Sequence, residues 1–123
     1  GNLAARLEGV NKTYGTRILF SAATVEGLAN GISLRPVDRV RVKGKAQPVD
    51  IFTPCDDPNL IAQTERAMAA YRNADWPAAR AVWQQIRADY PDDTLAPVFL
   101  GRIDEFERDA PAAWDGSVAL EKG

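Results

Sequence analysis

Apolar residues first recur at helical spacing, with Leu3, Leu7 and Val10 falling on one face. Tyr14 closes that run, and the Gly15 that follows suits a left-handed stop, so the pattern predicts a helix over Asn2–Tyr14. Thr16–Phe20 (TRILF) is a short run rich in branched residues and predicts a buried strand. Ser21 stands where it would cap a helix over Ala22–Ala29, which Asn30-Gly31 would end. The period then changes to two. Val40 and Val42 alternate with Arg39, Arg41 and Lys43, and the alternation resumes at Val49 and Ile51 beyond Gly44-Lys45-Ala46-Gln47. This predicts a β-hairpin within Ile32–Pro54 that has one apolar and one cationic face.

Cys55-Asp56-Asp57-Pro58 is a polar break, and helical spacing returns after it. Ile61, Glu65, Met68 and Tyr71 lie along one helix, Asn73-Ala74-Asp75 makes its turn, and Trp76-Pro77 opens a second. In that second helix Ala79, Val82, Trp83 and Ile86 recur at the spacing of a packed face, and Pro91-Asp92-Asp93 stops it. A third helix follows. The expected fold class is therefore α+β: helix, strand, helix and hairpin, then an all-α part. The expected organisation is 1–54, a linker at 55–58, helices over 59–109, and a tail at 110–123 from which Trp114 could dock back.

Charge divides at the same break. Residues 1–54 hold eight Lys/Arg and four Asp/Glu, and residues 55–123 hold seven and thirteen. A basic first part suits an anionic ligand, and an acidic second part suits a solvated helical module. The chain has no histidine, which excludes Ser-His-Asp and Cys-His nucleophilic schemes and imidazole zinc sites. Its lone Cys55 cannot make an internal disulfide, and no apolar run reaches the length of a membrane span. A cytoplasmic location is the expectation, with membrane anchoring of a longer parent left open. Nucleic acid is not an expected partner, because the basic strip is short and carries no interleaved aromatics.

Asn2 and Arg6, four apart, share one face of the first helix about 40° apart in projection. Alone, such a pair is an ordinary solvated helix face, and Arg39, Arg41 and Lys43 an ordinary solvated sheet face. The surrounding residues set these in a longer pattern. N-x-A-A-R-L-E, then N-K-x-Y-G-T-R-I-L-x-S, then L-R-P-V-x-R-V-R-V-K-G-K-A-Q-P-V-D-I-F resembles the C-terminal half of a class III adenylate/guanylate cyclase catalytic domain. The resemblance covers residues 2–53. It implies part of a ferredoxin-like-derived fold and a reaction in which the 3′-hydroxyl of a nucleoside triphosphate, ATP favoured, attacks its own α-phosphorus.

It further implies that Asn2 orients the ribose, that Arg6 stabilises the pentavalent phosphorus, and that Lys43 holds the β- and γ-phosphates. Arginine suits the first phosphorus role because its fork can make two parallel hydrogen bonds to spreading charge. The family's two Mg or Mn ions are held by aspartates upstream of the Asn. Glu8, Glu26, Asp38 and Asp50 stand at none of those positions, so no metal ligand is expected in this chain. The implied partner is a second cyclase protomer, and the chain alone is expected to be inactive.

The later stretch A-Y-R-N-A-D-W-x-A-A-x-x-x-W…Y-P-D-D resembles a tetratricopeptide repeat, with Leu100-Gly101 where a next repeat would carry its Leu-Gly pair. A protein partner for these helices is a further expectation. Three function classes stay open: a piece of a cyclase; a non-catalytic interaction module with a degenerate cyclase-homology domain; and a degenerate domain that binds nucleotide without turnover.

Overall fold

The computed structural model describes residues 11–21, 26, 28, 30–42, 44 and 46–119. The chain divides into two units, Gly1–Asp57 with Ser117–Gly123, and Pro58–Gly116. Among the described residues all four strands lie in the first unit, and the three long helices lie in the second. Among the described residues no helix is long and apolar enough to cross a membrane.

The first unit is built on a four-stranded sheet of order β1-β3-β2-β4, with β1 at Leu19–Phe20, β2 at Leu34–Arg41, β3 at Val49–Pro54 and β4 at Ser117–Ala119. β3 pairs antiparallel with both β1 and β2, whereas β4 runs parallel to β2. Alternation in β2 works as its sequence requires: Val40 and Val42 are buried, Arg39 is half-buried and Arg41 is exposed. Upstream the register slips between Pro36 and Asp38, leaving Val37 as an extra residue on β2. Proline has no N–H to give the ladder, so a bulge beside it costs the sheet little. Gly44, in the β2–β3 connection, has φ +88, a backbone conformation that side chains rarely adopt.

Residues 11–14 are helical, and the N–H groups of Gly15 and Thr16 both return to the Asn11 carbonyl, at 2.7 and 3.3 Å. Gly15 has φ +67, the left-handed stop that its position after Tyr14 requires. The strand expected over Thr16–Phe20 is shorter, only Leu19–Phe20. The Asn11 side-chain oxygen, seven residues away, accepts the Ile18 N–H at 2.7 Å, so the chain before Leu19 is tied to the helix end. The stretch expected as a tail holds β4, a strand too short to leave a period of its own in the sequence.

The second unit has three helices, α1 (Pro58–Arg72), α2 (Trp76–Asp89) and α3 (Leu95–Arg108). α1 packs on α2 and α2 on α3. The first turn closes through Ala74 at φ +59, and Asp75 then caps α2 by accepting the Ala78 N–H at 3.3 Å. Ahead of α3, Asp93 sits one residue before the N-cap Thr94 and accepts the Ala96 N–H at 2.9 Å. The core is an apolar stripe from each helix: Ala67, Met68 and Tyr71; Ala79, Trp83 and Ile86; Leu95, Phe99 and Ile103. Trp83 is fully buried and stacks on Phe99 with ring centroids 4.7 Å apart and planes 4° from parallel. Its indole nitrogen finds no hydrogen-bond partner among the described residues, so the ring is held by packing. On the surface Arg80 pairs with both Asp104 and Glu107. Hydrogen bonds to those carboxylates raise its pKa above an already high ordinary value, and it stays cationic.

Candidate functional site

Asn2, Arg6 and Lys43, for which the cyclase resemblance implies roles at the ribose, α-phosphorus and terminal phosphates, lie outside the described residues. What the structure gives is the frame on either side of them. Tyr14, eight residues after Arg6, is buried, and its hydroxyl donates to Asp38 Oδ2 at 2.5 Å. Asp38, five residues before Lys43, is also buried, and its Oδ1 accepts the Arg39 N–H at 2.8 Å. A buried carboxylate is tolerable only where donors meet it, and here a phenol and a backbone amide do so. The pair therefore fixes the end of the helical turn at 11–14 against the strand that leads to position 43.

Past the bulge, period two places Asp38 on the face of Val40 and Val42. A carboxylate on an otherwise apolar face is the sequence signal that marks it, and the motif-based assignment passes over it. Asn11, Tyr14 and Ser117 carry no such signal, because their partners are set by tertiary placement.

The cationic face of β2 is largely committed within the protein. Arg39 Nε pairs with Asp50 Oδ1 at 2.9 Å, both groups partly exposed. Arg41 Nη1 donates to the carbonyl and hydroxyl of Ser117, at 2.9 and 2.7 Å.

Among the described residues no three His, Cys, Asp or Glu side chains stand together as they would to hold a metal ion. Asp38 faces Tyr14 and Asp50 faces Arg39, an arrangement that does not fit a divalent cation. A hollow of about 380 Å³ is lined by Gly31, Ile32, Ser33, Pro54, Cys55 and Asp56. Its one charged lining residue is an aspartate, which would repel a triphosphate.

No family model and no solved structure matches the chain. It is similar to three curated proteins named as adenylate cyclases. It is 36% identical over 69 residues to adenylate cyclase 1 of Rhizobium meliloti (strain 1021), a match to 56% of this chain and 10% of that protein. It is 41% identical over 54 residues to adenylate cyclase of Anabaena cylindrica, covering 42% of this chain and 11% of that one. The chain carries a region similar to adenylate cyclases. A longer match, 27% identical over 113 residues, is to the terminal-differentiation-specific adenylate cyclase of Dictyostelium discoideum, covering 82% of this chain and 5% of that protein. Because 82% of the chain is more than its first unit holds, that match extends into the helices. The chain spans between 5% and 11% of the length of these relatives.

Proposed function

We propose that this chain is part of a class III adenylate cyclase and supplies the transition-state and phosphate-binding wall of a site shared with a second protomer. The observation that carries the reading is the similarity to adenylate cyclases from three different organisms, in a chain whose first part holds the N-x-A-A-R and V-K-G-K motifs. The structure supports it by tying the helical turn after the Asn–Arg motif to the strand that leads into V-K-G-K, through Tyr14 and Asp38.

In this reading the 3′-hydroxyl oxygen of ATP forms a bond to the α-phosphorus and gives its proton to solvent, while the bond from that phosphorus to the bridging oxygen breaks, releasing pyrophosphate. Asn2 holds the ribose so that the hydroxyl is aimed in line. Arg6 meets the oxygens of the pentavalent phosphorus as their charge grows, and contributes most at the transition state. Lys43 holds the terminal phosphates in the ground state and as they leave. The Mg or Mn that the reaction class uses has no fitting ligand set among the described residues. The helices of the second unit are of tetratricopeptide type, and a protein partner for them is part of the proposal.

The test is kinetic and uses a complete cyclase that contains this chain. Arg6→Ala should lower kcat by at least about 100-fold with little change in KM, as loss of a donor aimed at transition-state charge does. Lys43→Ala should raise KM more than it lowers kcat. Equal changes in KM alone for both variants would remove these roles.

A further inference from the structure

We propose that a cluster of rings at one end of the helical unit is a docking site for a partner protein. The occupant is a segment with a tryptophan between acidic residues, and residues 109–116 hold the site closed in cis. The inference rests on the reading of these helices as a protein-binding module, and names the chemistry of their partner. Seat and occupant both lie within Pro58–Gly116.

The seat is made where three helix ends meet. Tyr71 stands in the last turn of α1, Trp76 opens α2, and Phe106 stands in the last turn of α3. Ring centroids are 5.8 Å apart for Tyr71 and Trp76, 5.3 Å for Trp76 and Phe106, and 6.3 Å for Tyr71 and Phe106. The three rings therefore support one another without Trp114. Trp114 meets Tyr71, Trp76 and Phe106 edge-on, with centroids 5.2, 5.6 and 5.2 Å away. Its indole N–H donates to the Tyr71 carbonyl at 3.0 Å. That oxygen also accepts the Ala74 N–H at 3.1 Å, so both of its lone pairs are used. The site reads a tryptophan by its ring and by its one donor.

The segment that fills the seat buries little else. Asp109, Ala110, Ala112, Ala113 and Asp115 are exposed, and Pro111 is half-buried, as Trp114 is. Ala113 has φ +49, a left-handed conformation that is unfavourable for a residue with a Cβ. The cover is thus one anchoring ring on a strained tether. Lifting it would bare an aromatic patch of the kind that dominates protein interfaces. Charge indicates what takes its place. Arg72 ends α1 and Arg108 ends α3, while Asp109 and Asp115 lie on either side of Trp114 in the covering segment. A competing segment needs the same ring and gains from the same carboxylates.

The experiment is fluorescence anisotropy with a fluorescein-labelled peptide DAPAAWDG, the sequence of residues 109–116, and with the same peptide carrying alanine in place of its tryptophan. Each is titrated with the 123-residue chain, with Trp114→Ala and with Ala113→Pro. Trp114→Ala empties the seat. Ala113→Pro keeps every ring, but the fixed negative φ of proline cannot make this turn, so it opens the cover even if Trp114→Ala unsettles the helices. Both variants should bind the tryptophan peptide at least about 10-fold more tightly than the parent chain, whose tethered ring competes at high effective concentration. The alanine peptide should bind none of the three. A parent chain that binds the tryptophan peptide as tightly as both variants do would overturn the closure in cis. Equal binding of the two peptides would overturn the seat and leave the module reading standing, and binding of neither by any chain would also overturn the seat.

Discussion

The two units of this chain reach their folds by opposite routes. In the helical unit each helix packs on the next in sequence, each turn carries its own cap, and one stacked ring pair, Trp83 on Phe99, forms the centre. In the sheet unit the decisive pairings are distant in sequence: Tyr14 with Asp38, Leu19 with Phe52, Arg39 with Ser117. Charged side chains are buried there as well, Arg35 and Asp38. Local apolar packing can be built by pattern alone, whereas a sheet with buried charge is fixed by a few specific partners. A structural substitution should therefore act through lost volume in one unit and through lost partners in the other.

The largest expected effect is in the helices. Trp83→Ala removes a fully buried ring from a stack and should cost about 3–5 kcal/mol in denaturant melts. A loss below 1 kcal/mol would mean that the helical core is not organised around it. Next comes the polar link of the sheet unit. Tyr14→Phe removes one donor from a buried carboxylate while keeping the ring, and should cost about 1–3 kcal/mol. Tyr14→Phe within error of the parent chain would place the weight of this unit on its apolar side chains and erase the contrast.

Two smaller changes sharpen it. A Cβ built on Gly101, inside α3, meets nothing within 4 Å, so no close approach requires glycine there. Gly101→Ala should therefore stabilise by about 0.5–1 kcal/mol. Destabilisation would reveal a neighbour that needs this helix bare, as a following helix would. Arg80→Ala should have the smallest effect, because its pairs with Asp104 and Glu107 are solvent-exposed, and what effect there is should fade in high salt.

The same contrast governs what the sequence makes legible. The three helices, their turns at Asn73–Asp75 and Pro91–Asp93, and the burial of Trp83 follow from spacing, because caps and stripes are local features. The β2–β3 hairpin follows as well, since alternation and a glycine-containing turn lie side by side. The bulge at Val37, the early end of TRILF and the β4 strand do not. Each depends on a partner at a distance: Phe52 and Ile51 opposite the bulge, the Asn11 carboxamide on Ile18, and Arg41 on Ser117. For the site, motif resemblance names Asn2, Arg6 and Lys43, chosen by what they would do to a ligand. The residues that frame them, Tyr14 and Asp38, interact only with the protein itself, and just one of the two leaves a trace in the pattern.

The central claim is that this chain brings phosphate-binding and transition-state groups to a cyclase site but not the metal ligands. It is tested most directly by assaying conversion of ATP to cyclic AMP in Mg or Mn. The 123-residue chain is assayed alone, and then mixed with a complete protomer carrying Arg6→Ala. The account predicts no product from the chain alone and partial recovery of turnover in the mixture, where Asn2, Arg6 and Lys43 meet carboxylates from the other protomer. Metal-dependent turnover by the chain alone, or a mixture no more active than the Arg6→Ala protomer, would contradict it.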